Sequence, residues 1–361
     1  MADNKGCSFS FLPKGVPEAL LLQAWQQLDQ HHRFGIIPRV CSSWFHLSLP
    51  TFTSLKLALR DEGSTQHFAA WLRRHGSTLQ HLRVDTTELV KPSDILMSGL
   101  LGTISNCQFL SSLHLLRWKG SLSLGGQLLT RLTSLSVRYY VGVPFDLYQQ
   151  LRRNDMRQLM ALDLRGTQLC SMLGKTELHL LIRALPNLTS LDLSHTGIRV
   201  EDLASCRSLP PLQELKLSMT DWQSSQGPLA ALAVLPCTSL HVSYWGCNAV
   251  SRAALTSLAE AAGQLRHLTF SSGTAGVKEL ALLTGLTELT SLHFTYSGAA
   301  DADVVTPLAA LSNLQQLTVA GLSAVQEEAM RVAVSAGQLR CLKEVTYEVA
   351  SLSQMRARKE V

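Results

Sequence analysis

No stretch of about 18 consecutive apolar residues occurs in the sequence, so no membrane-spanning helix is expected. The opening residues, MADNKGCSFSFLPKG, lack the uninterrupted apolar core of a secretory signal. No CxxC pair exists among the cysteines at Cys7, Cys41, Cys107, Cys170, Cys206, Cys237, Cys247 and Cys341. That scatter argues against a zinc site and against a disulfide framework, and it fits a reducing compartment. Charge is sparse: Asp, Glu, Lys and Arg make up 16% of 361 residues and the net charge is only +5. A nucleic-acid-binding domain usually carries a dense basic stripe, so neither nucleic acid nor a membrane is an expected partner. Only the tail at 351–361, ending MRARKEV from Met355, concentrates positive charge, and it reads as a solvated terminus. The G-x-S-x-G elbow, the P-loop, H-E-x-x-H and the dinucleotide fingerprint are all missing. The expectation is therefore a soluble, non-enzymatic protein of the cytoplasm or nucleus, with no cofactor and no metal.

What the sequence does have is leucine in a recurring frame. LTSLDL from Leu188, LQELKL from Leu212, LRHLTF from Leu265, LTSLHF from Leu289 and LQQLTV from Leu314 share the pattern LxxLxL, with Val or Phe allowed last. Looser copies begin at Phe52, Leu79, Leu110, Leu132, Leu159, Cys237 and Leu342, making twelve in all. Their start-to-start spacings run from 22 to 31 residues and average about 26, a period characteristic of stacked strand-plus-return units. Side chains on a strand alternate, so positions four and six of each motif enter one core, and position one fills the corner beneath it. In this frame the chain resembles the leucine-rich repeat family. The resemblance implies an α/β solenoid: a curved parallel sheet with helical or irregular returns, about twelve repeats over 49–350.

Two return segments have clear helical patterning. SRAALTSLAEAAGQL from Ser251 puts Leu255, Leu258 and Ala262 on one face, and AVQEEAMRVAVSAGQL from Ala324 has Gly337 placed to end the helix. The Asn or Cys that the family places after the strand is replaced mostly by Thr, at Thr87, Thr167, Thr196 and Thr220, which predicts a looser side-chain ladder there.

Residues 13–48 do not fit the repeat; residues 1–12 before them read as a flexible terminus. Pro17 suits a first helical turn, and Leu20, Leu21, Trp25 and Leu28 form an apolar stripe at helical spacing, followed by a second stripe of Val40, Trp44 and Leu47. With Val16–Pro17 at its start, Asp29 after Leu28, and VCSSW at its end, this segment resembles the F-box, a helical module that docks on the Skp adaptor of cullin-RING ubiquitin ligases. Pro38 and a spacer one residue longer after Asp29 depart from that pattern. The resemblance implies that Pro17, Leu20, Leu28, Val40 and Trp44 contact the adaptor or pack behind the contact. It further implies that the chain is the substrate-recognition subunit of such a ligase, monomeric outside the complex. An N-terminal cap over the open end of the solenoid would show the same stripes. In that case the chain is a scaffold or inhibitor, and the cytoskeleton or a cilium axoneme becomes a fitting location.

Positions three, five and seven of each motif face the open side of the sheet. Early repeats place Lys56, Arg83, Arg138 and Arg165 there, with Arg117 one step further along its strand. This basic half suits an anionic partner: an acidic degron, a phosphopeptide or an inositol phosphate. Asp163 and Asp192 stand at position five of consecutive repeats, a juxtaposition that can supply an acid and a base in glycoside hydrolysis. Lys216 and Arg165 are their expected neutralising neighbours, and an open sheet offers no deep pocket, so the pair reads as a surface charge cluster. Later repeats bring His241, His267 and His293, with Tyr244 and Tyr296 just beyond the strand ends. No Cys or carboxylate on that face completes a metal set, which leaves a polar, aromatic protein-recognition patch.

Overall fold

The computed structural model describes residues 53–89, 92–140, 144–153, 156–169, 175–198, 210–219, 237–244, 256, 258–259, 262–271, 277–296 and 303–348. Each of the twelve motifs supplies one strand: β1 (Ser54–Ala58), β2 (His81–Asp85), β3 (Ser112–Leu116), β4 (Ser134–Arg138), β5 (Ala161–Asp163), β6 (Ser190–Asp192), β7 (Glu214–Met219), β8 (Ser239–Tyr244), β9 (His267–Ser271), β10 (Ser291–Thr295), β11 (Gln316–Ala320) and β12 (Glu344–Glu348). They form a single parallel sheet in strict chain order. Every strand begins at position three of its motif, and the register never slips, with position five pairing with position five from Lys56–Arg83 at one end to Thr318–Thr346 at the other. The variation in spacing is absorbed wholly by the returns.

Burial follows the parity argument. Position four (Leu82, Leu113, Leu135, Leu191, Leu215, Leu240, Leu268) and position six (Val84, Leu115, Val137, Leu193, Leu217, Val242, Phe270) are buried, as is the corner residue at position one, from Leu79 to Leu314. Phe270 and Phe294 stack at 5.8 Å inside the core, joining two neighbouring repeats. Since each repeat buries its apolar face only against its neighbours, the core is one continuous column.

Returns range from full helices to single turns. Among the described residues the helices with defined bounds are α1 (Glu62–His75), α2 (Asp94–Ser105), α3 (Gly126–Leu129), α4 (Pro144–Arg153), α5 (Lys175–Arg183), α6 (Val277–Leu282), α7 (Val305–Ala309) and α8 (Ala324–Ser335). Ser323 and Gln326 form a capping box at the start of α8. Gly337 ends that helix with φ 70°: the Gly337 amide donates to Val334 O at 3.1 Å and the Gln338 amide to Ala333 O at 3.0 Å, which is a Schellman closure. In the return before β9, Thr256, Leu258 and Ala259 are helical, and Leu258 and Ala262 are buried as the periodicity requires; Leu255 lies outside the described residues.

The threonine hydroxyls after the strands bond irregularly, two of them between repeats and one within its own. Thr167 donates back to Val137 O at 3.0 Å, and Thr196 donates to Leu193 O of its own repeat at 2.6 Å. In the second repeat the buried residue is Thr86, which donates to Arg117 O at 2.6 Å, while Thr87 is exposed. Thr220 lies outside the described residues. A regular hydroxyl ladder runs instead before the strands, at position two. Thr133, Thr189, Thr238 and Thr290 each donate to the position-two carbonyl of the preceding repeat, at 3.0–3.3 Å, and Ser111 does the same at 3.2 Å. These hydroxyls share carbonyls that already accept two backbone amides, so they reinforce the stacking at its entry edge.

Candidate ligand-binding face

Three rows of side chains cover the outer face of the sheet. The row at position five reads Lys56, Arg83, His114, Ser136, Asp163, Asp192, Lys216, His241, Thr269, His293, Thr318 and Thr346, each opposite the next. Eleven strand spacings of about 4.8 Å make the face about 50 Å long, and five residues per strand make it about 16 Å wide. The resulting area of about 800 Å² is what one partner contributes to a stable protein complex.

The carboxylates are neutralised differently from the sequence expectation. Asp163 and Asp192 do pair across β5 and β6. Arg138, not Arg165, takes Asp163 through Nε, and Ser136 Oγ donates to the same carboxylate at 3.1 Å. Lys216 binds Glu214 at 2.8 Å rather than either aspartate. Asp192 is buried and accepts the Ser194 amide at 2.9 Å, and Asp163 accepts the Arg165 amide at 3.1 Å. Both aspartates thus brace the chain as it leaves its strand. Lys56, Arg83, Arg117 and Arg165 carry no ion pair among the described residues.

The histidines do not converge. His241 and His293 share row five with Thr269 between them, about 10 Å apart, while His267 lies in row three opposite Ser239 and Ser291. Among the described residues no group of three or more metal-capable side chains comes together. Burial, and then the positive charge of Lys216, holds His241 below its ordinary value of 6.5. Burial, followed by Arg138, does the same to His114, and burial, followed by Arg165, to His195. Below about pH 6.5 the unfolded chain then binds more protons than the folded one, so stability is present above that pH and lost as pH falls. The urea midpoint is expected to drop between pH 7 and pH 5, and to drop less in His241→Gln and His114→Gln. An equal drop in those variants would place the linkage elsewhere.

Of the aromatic pair, Tyr296 corrects the sequence expectation. It occupies position eight, whose parity points inward, and it is 1% exposed, so it offers no contact to a partner. Tyr244 holds the same position in its own motif, as the last residue of β8 opposite Met219.

Position eight also carries a feature that sequence reasoning missed. Leu59, Thr86 and Tyr296 have ordinary φ there and bury their side chains. In the third, fourth and sixth repeats the residue at this position has φ of 52° (Arg117), 52° (Tyr139) and 58° (His195); Gly166, between them, has φ 71°. The backbone bond is the same in both cases: the position-eight amides of Leu59, Arg117, Tyr139, Gly166 and Tyr296 all donate to the position-seven carbonyl of the next strand, at 2.7–2.8 Å. Only the side-chain direction changes, from core to solvent, leaving Arg117 and Tyr139 exposed and His195 half-buried. Arg117 lies over the Tyr139 ring at 6.0 Å. That ring in turn occupies the space a Cβ on Gly166 would need, 2.2 Å from where it would stand. Left-handed backbone costs a non-glycine residue about 1–2 kcal/mol, and three such costs in four successive repeats mark a ledge built for exposure. The legible signal was a column that reads Arg, Tyr, Gly, His where the first two repeats have Leu59 and Thr86, which enter the core.

A pocket of about 250 Å³ lies between the segments leading into β11 and β12, lined by Leu308, Leu311, Leu314, Leu339 and Cys341 among others. It is smaller than most small-molecule sites.

No family model matches the chain. No curated protein matches it either. Among solved structures, an internalin (InlF) from Listeria monocytogenes is similar over 94% of this chain and 91% of its own, at 17% identity and a TM-score of 0.40. The leucine-rich repeat-containing protein LegL7 from Legionella pneumophila is similar over 85% and 97%, at 16% identity and a TM-score of 0.48. A TLR13–ssRNA13 complex is similar over 75% of this chain and 46% of that one, at 16% identity and a TM-score of 0.45. The repeat frame, the single parallel sheet and its unbroken register make this chain a leucine-rich repeat solenoid with an open face. Among the described residues no helix is long and apolar enough to cross a membrane.

Proposed function

We propose that this chain is a recognition subunit that performs no chemistry itself. Its sheet face holds a protein, and residues 13–48 dock that complex on the Skp adaptor of a cullin-RING ubiquitin ligase. The observation that carries the recognition half is the sheet face itself, an open surface of complex-forming size whose Lys56, Arg83, Arg117 and Arg165 carry no ion pair among the described residues. The adaptor half is supported by the F-box resemblance of Pro17, Leu20, Leu28, Val40 and Trp44, which lie outside the described residues. In this role the chain contributes proximity, raising the effective concentration of a substrate lysine near the charged conjugating enzyme.

Co-precipitation with the adaptor is the test. Wild type should retain it, and Pro17→Ala with Trp44→Ala should lower recovery by about tenfold, the scale of losing buried anchor residues from an interface. Deleting residues 1–48 should abolish recovery while the solenoid stays folded by circular dichroism. Recovery unchanged by the substitutions defeats the adaptor reading. A deletion that aggregates identifies the segment as a cap, and the chain as a scaffold.

A further inference from the structure

We propose that Arg117 and Tyr139 of the ledge, with Arg165 beside them at position seven, form the anchor for an oxyanion, a carboxylate or a phosphorylated side chain, on an acidic segment of the bound protein. The inference rests on the reading of the sheet face as a protein-recognition surface and names the chemistry it selects.

Charge complementarity supports an anionic occupant. Asp163 is neutralised by Arg138, while Asp85 and Asp192 accept only backbone amides and keep their charge; against those two carboxylates Arg83, Arg117 and Arg165 carry no ion pair among the described residues, which leaves the cations in excess. Arg117 has no carboxylate partner among the described residues; its contact is the Tyr139 ring. A guanidinium stacked on a ring keeps its N–H edges free for bidentate binding of an oxyanion and is already ordered. Arg165 lies one strand beyond Tyr139, whose amide donates to the Arg165 carbonyl at 2.7 Å. Arg165 carries no ion pair among the described residues, and its Nε is shielded from solvent, which leaves the guanidinium's terminal N–H groups as the ones that can meet a ligand. The Cα atoms of Arg117 and Arg165 lie about 10 Å apart, two strands and one residue, so their side chains can close on one group between them.

The backbone points the same way. Glycine would suit position eight without strain, as Gly166 and Gly321 show with φ of 71° and 82°. The chain instead holds Arg117 and Tyr139 there in the left-handed region, and the missing Cβ of Gly166 is what lets the ring lie flat along the ledge. The strain places a cation on an aromatic platform, facing outward, at a position whose parity in the repeat otherwise points into the core.

The test uses the full chain and fluorescence anisotropy with labelled twelve-residue peptides of one sequence in three forms: phosphoserine-bearing, Glu-bearing and neutral with Gln. A single-stranded RNA of twelve nucleotides serves as the fourth probe. At least one acidic form should bind about tenfold or more tightly than the neutral one, and the preferred form identifies phosphate or carboxylate as the source of the anion. Arg117→Gln with Arg165→Gln should remove that preference, whereas Arg73→Gln with Arg74→Gln, the same charge removed from exposed residues of α1, should leave it within about twofold. Tyr139→Phe should retain binding and Tyr139→Ala should weaken it, since the ring face orders Arg117. Equal binding of all three peptides, no binding of any, tighter binding of RNA, or equal losses in the α1 variant overturns the proposal. A photocrosslinking residue at Thr269 separates this from the broader reading. Undiminished protein capture in the Arg117/Arg165 variant overturns the ledge alone, and no capture by the wild-type face overturns protein recognition itself.

Discussion

Replacing Trp118 with alanine is expected to lower the unfolding free energy by about 3–5 kcal/mol, the cost of emptying a large aromatic site in a packed interior. The indole is wholly buried immediately after the left-handed Arg117, where the chain turns off β3. The return that follows has only the four-residue α3, so Trp118, with Leu122, Leu124, Leu128 and Leu129, fills space that a full helix fills in other repeats. Its Nε1 is buried without a hydrogen-bond partner among the described residues. Trp118→Phe therefore removes an unsatisfied donor along with some volume, and should cost well under half as much as the alanine change. Urea titration gives the total. Hydrogen exchange gives the location, because coupling in a solenoid is between neighbours: protection should fall across β2 to β4 and hold across β10 to β12. A uniform loss along the whole sheet would contradict that picture.

Gly166→Val should cost about 2–4 kcal/mol, because it places a β-branched residue at positive φ and drives a side chain into the Tyr139 ring. The two parts are separable by a double-mutant cycle. In a Tyr139→Ala background the collision is gone and only the backbone penalty remains, so the same substitution should cost about half as much. Strictly additive losses would mean that the ring does not rest on Gly166. The Gly166→Val protein also supplies an independent check on the ledge, since its Arg117 has lost its ordered platform.

Which parts of this molecule could be read in advance follows from what controls each. The strands were legible because a six-residue frame with period-two burial sets both their location and their facing; each of the twelve motifs yields a strand beginning at its third residue. The pairing of Asp163 with Asp192 follows from the same frame. Ion-pair partners were not legible, since the frame fixes Cα positions while Arg138 and Arg165 compete for Asp163 by side-chain reach, a choice made by rotamers. Tyr296 was misjudged by stopping the alternation at the strand end, although the ladder continues one residue further and carries the parity with it. Arg117, Tyr139 and His195 escaped for the opposite reason. Their φ reverses the parity, and the only hint is indirect, polar residue types at a position whose parity points inward, rather than the direct one that glycine gives at Gly166.

The unslipping register bears on how such a chain tolerates change in length. Spacings from 22 to 31 residues already coexist along a sheet in which every position five faces the next. An insertion or deletion in a return segment therefore leaves the phase of the outer rows untouched, whatever its size. One residue gained or lost between positions three and eight would turn a repeat's core residues outward and its recognition residues inward. Drift among descendants of this chain should accordingly collect gaps in the returns, while the short frames stay ungapped even where their outward residues are freely exchanged.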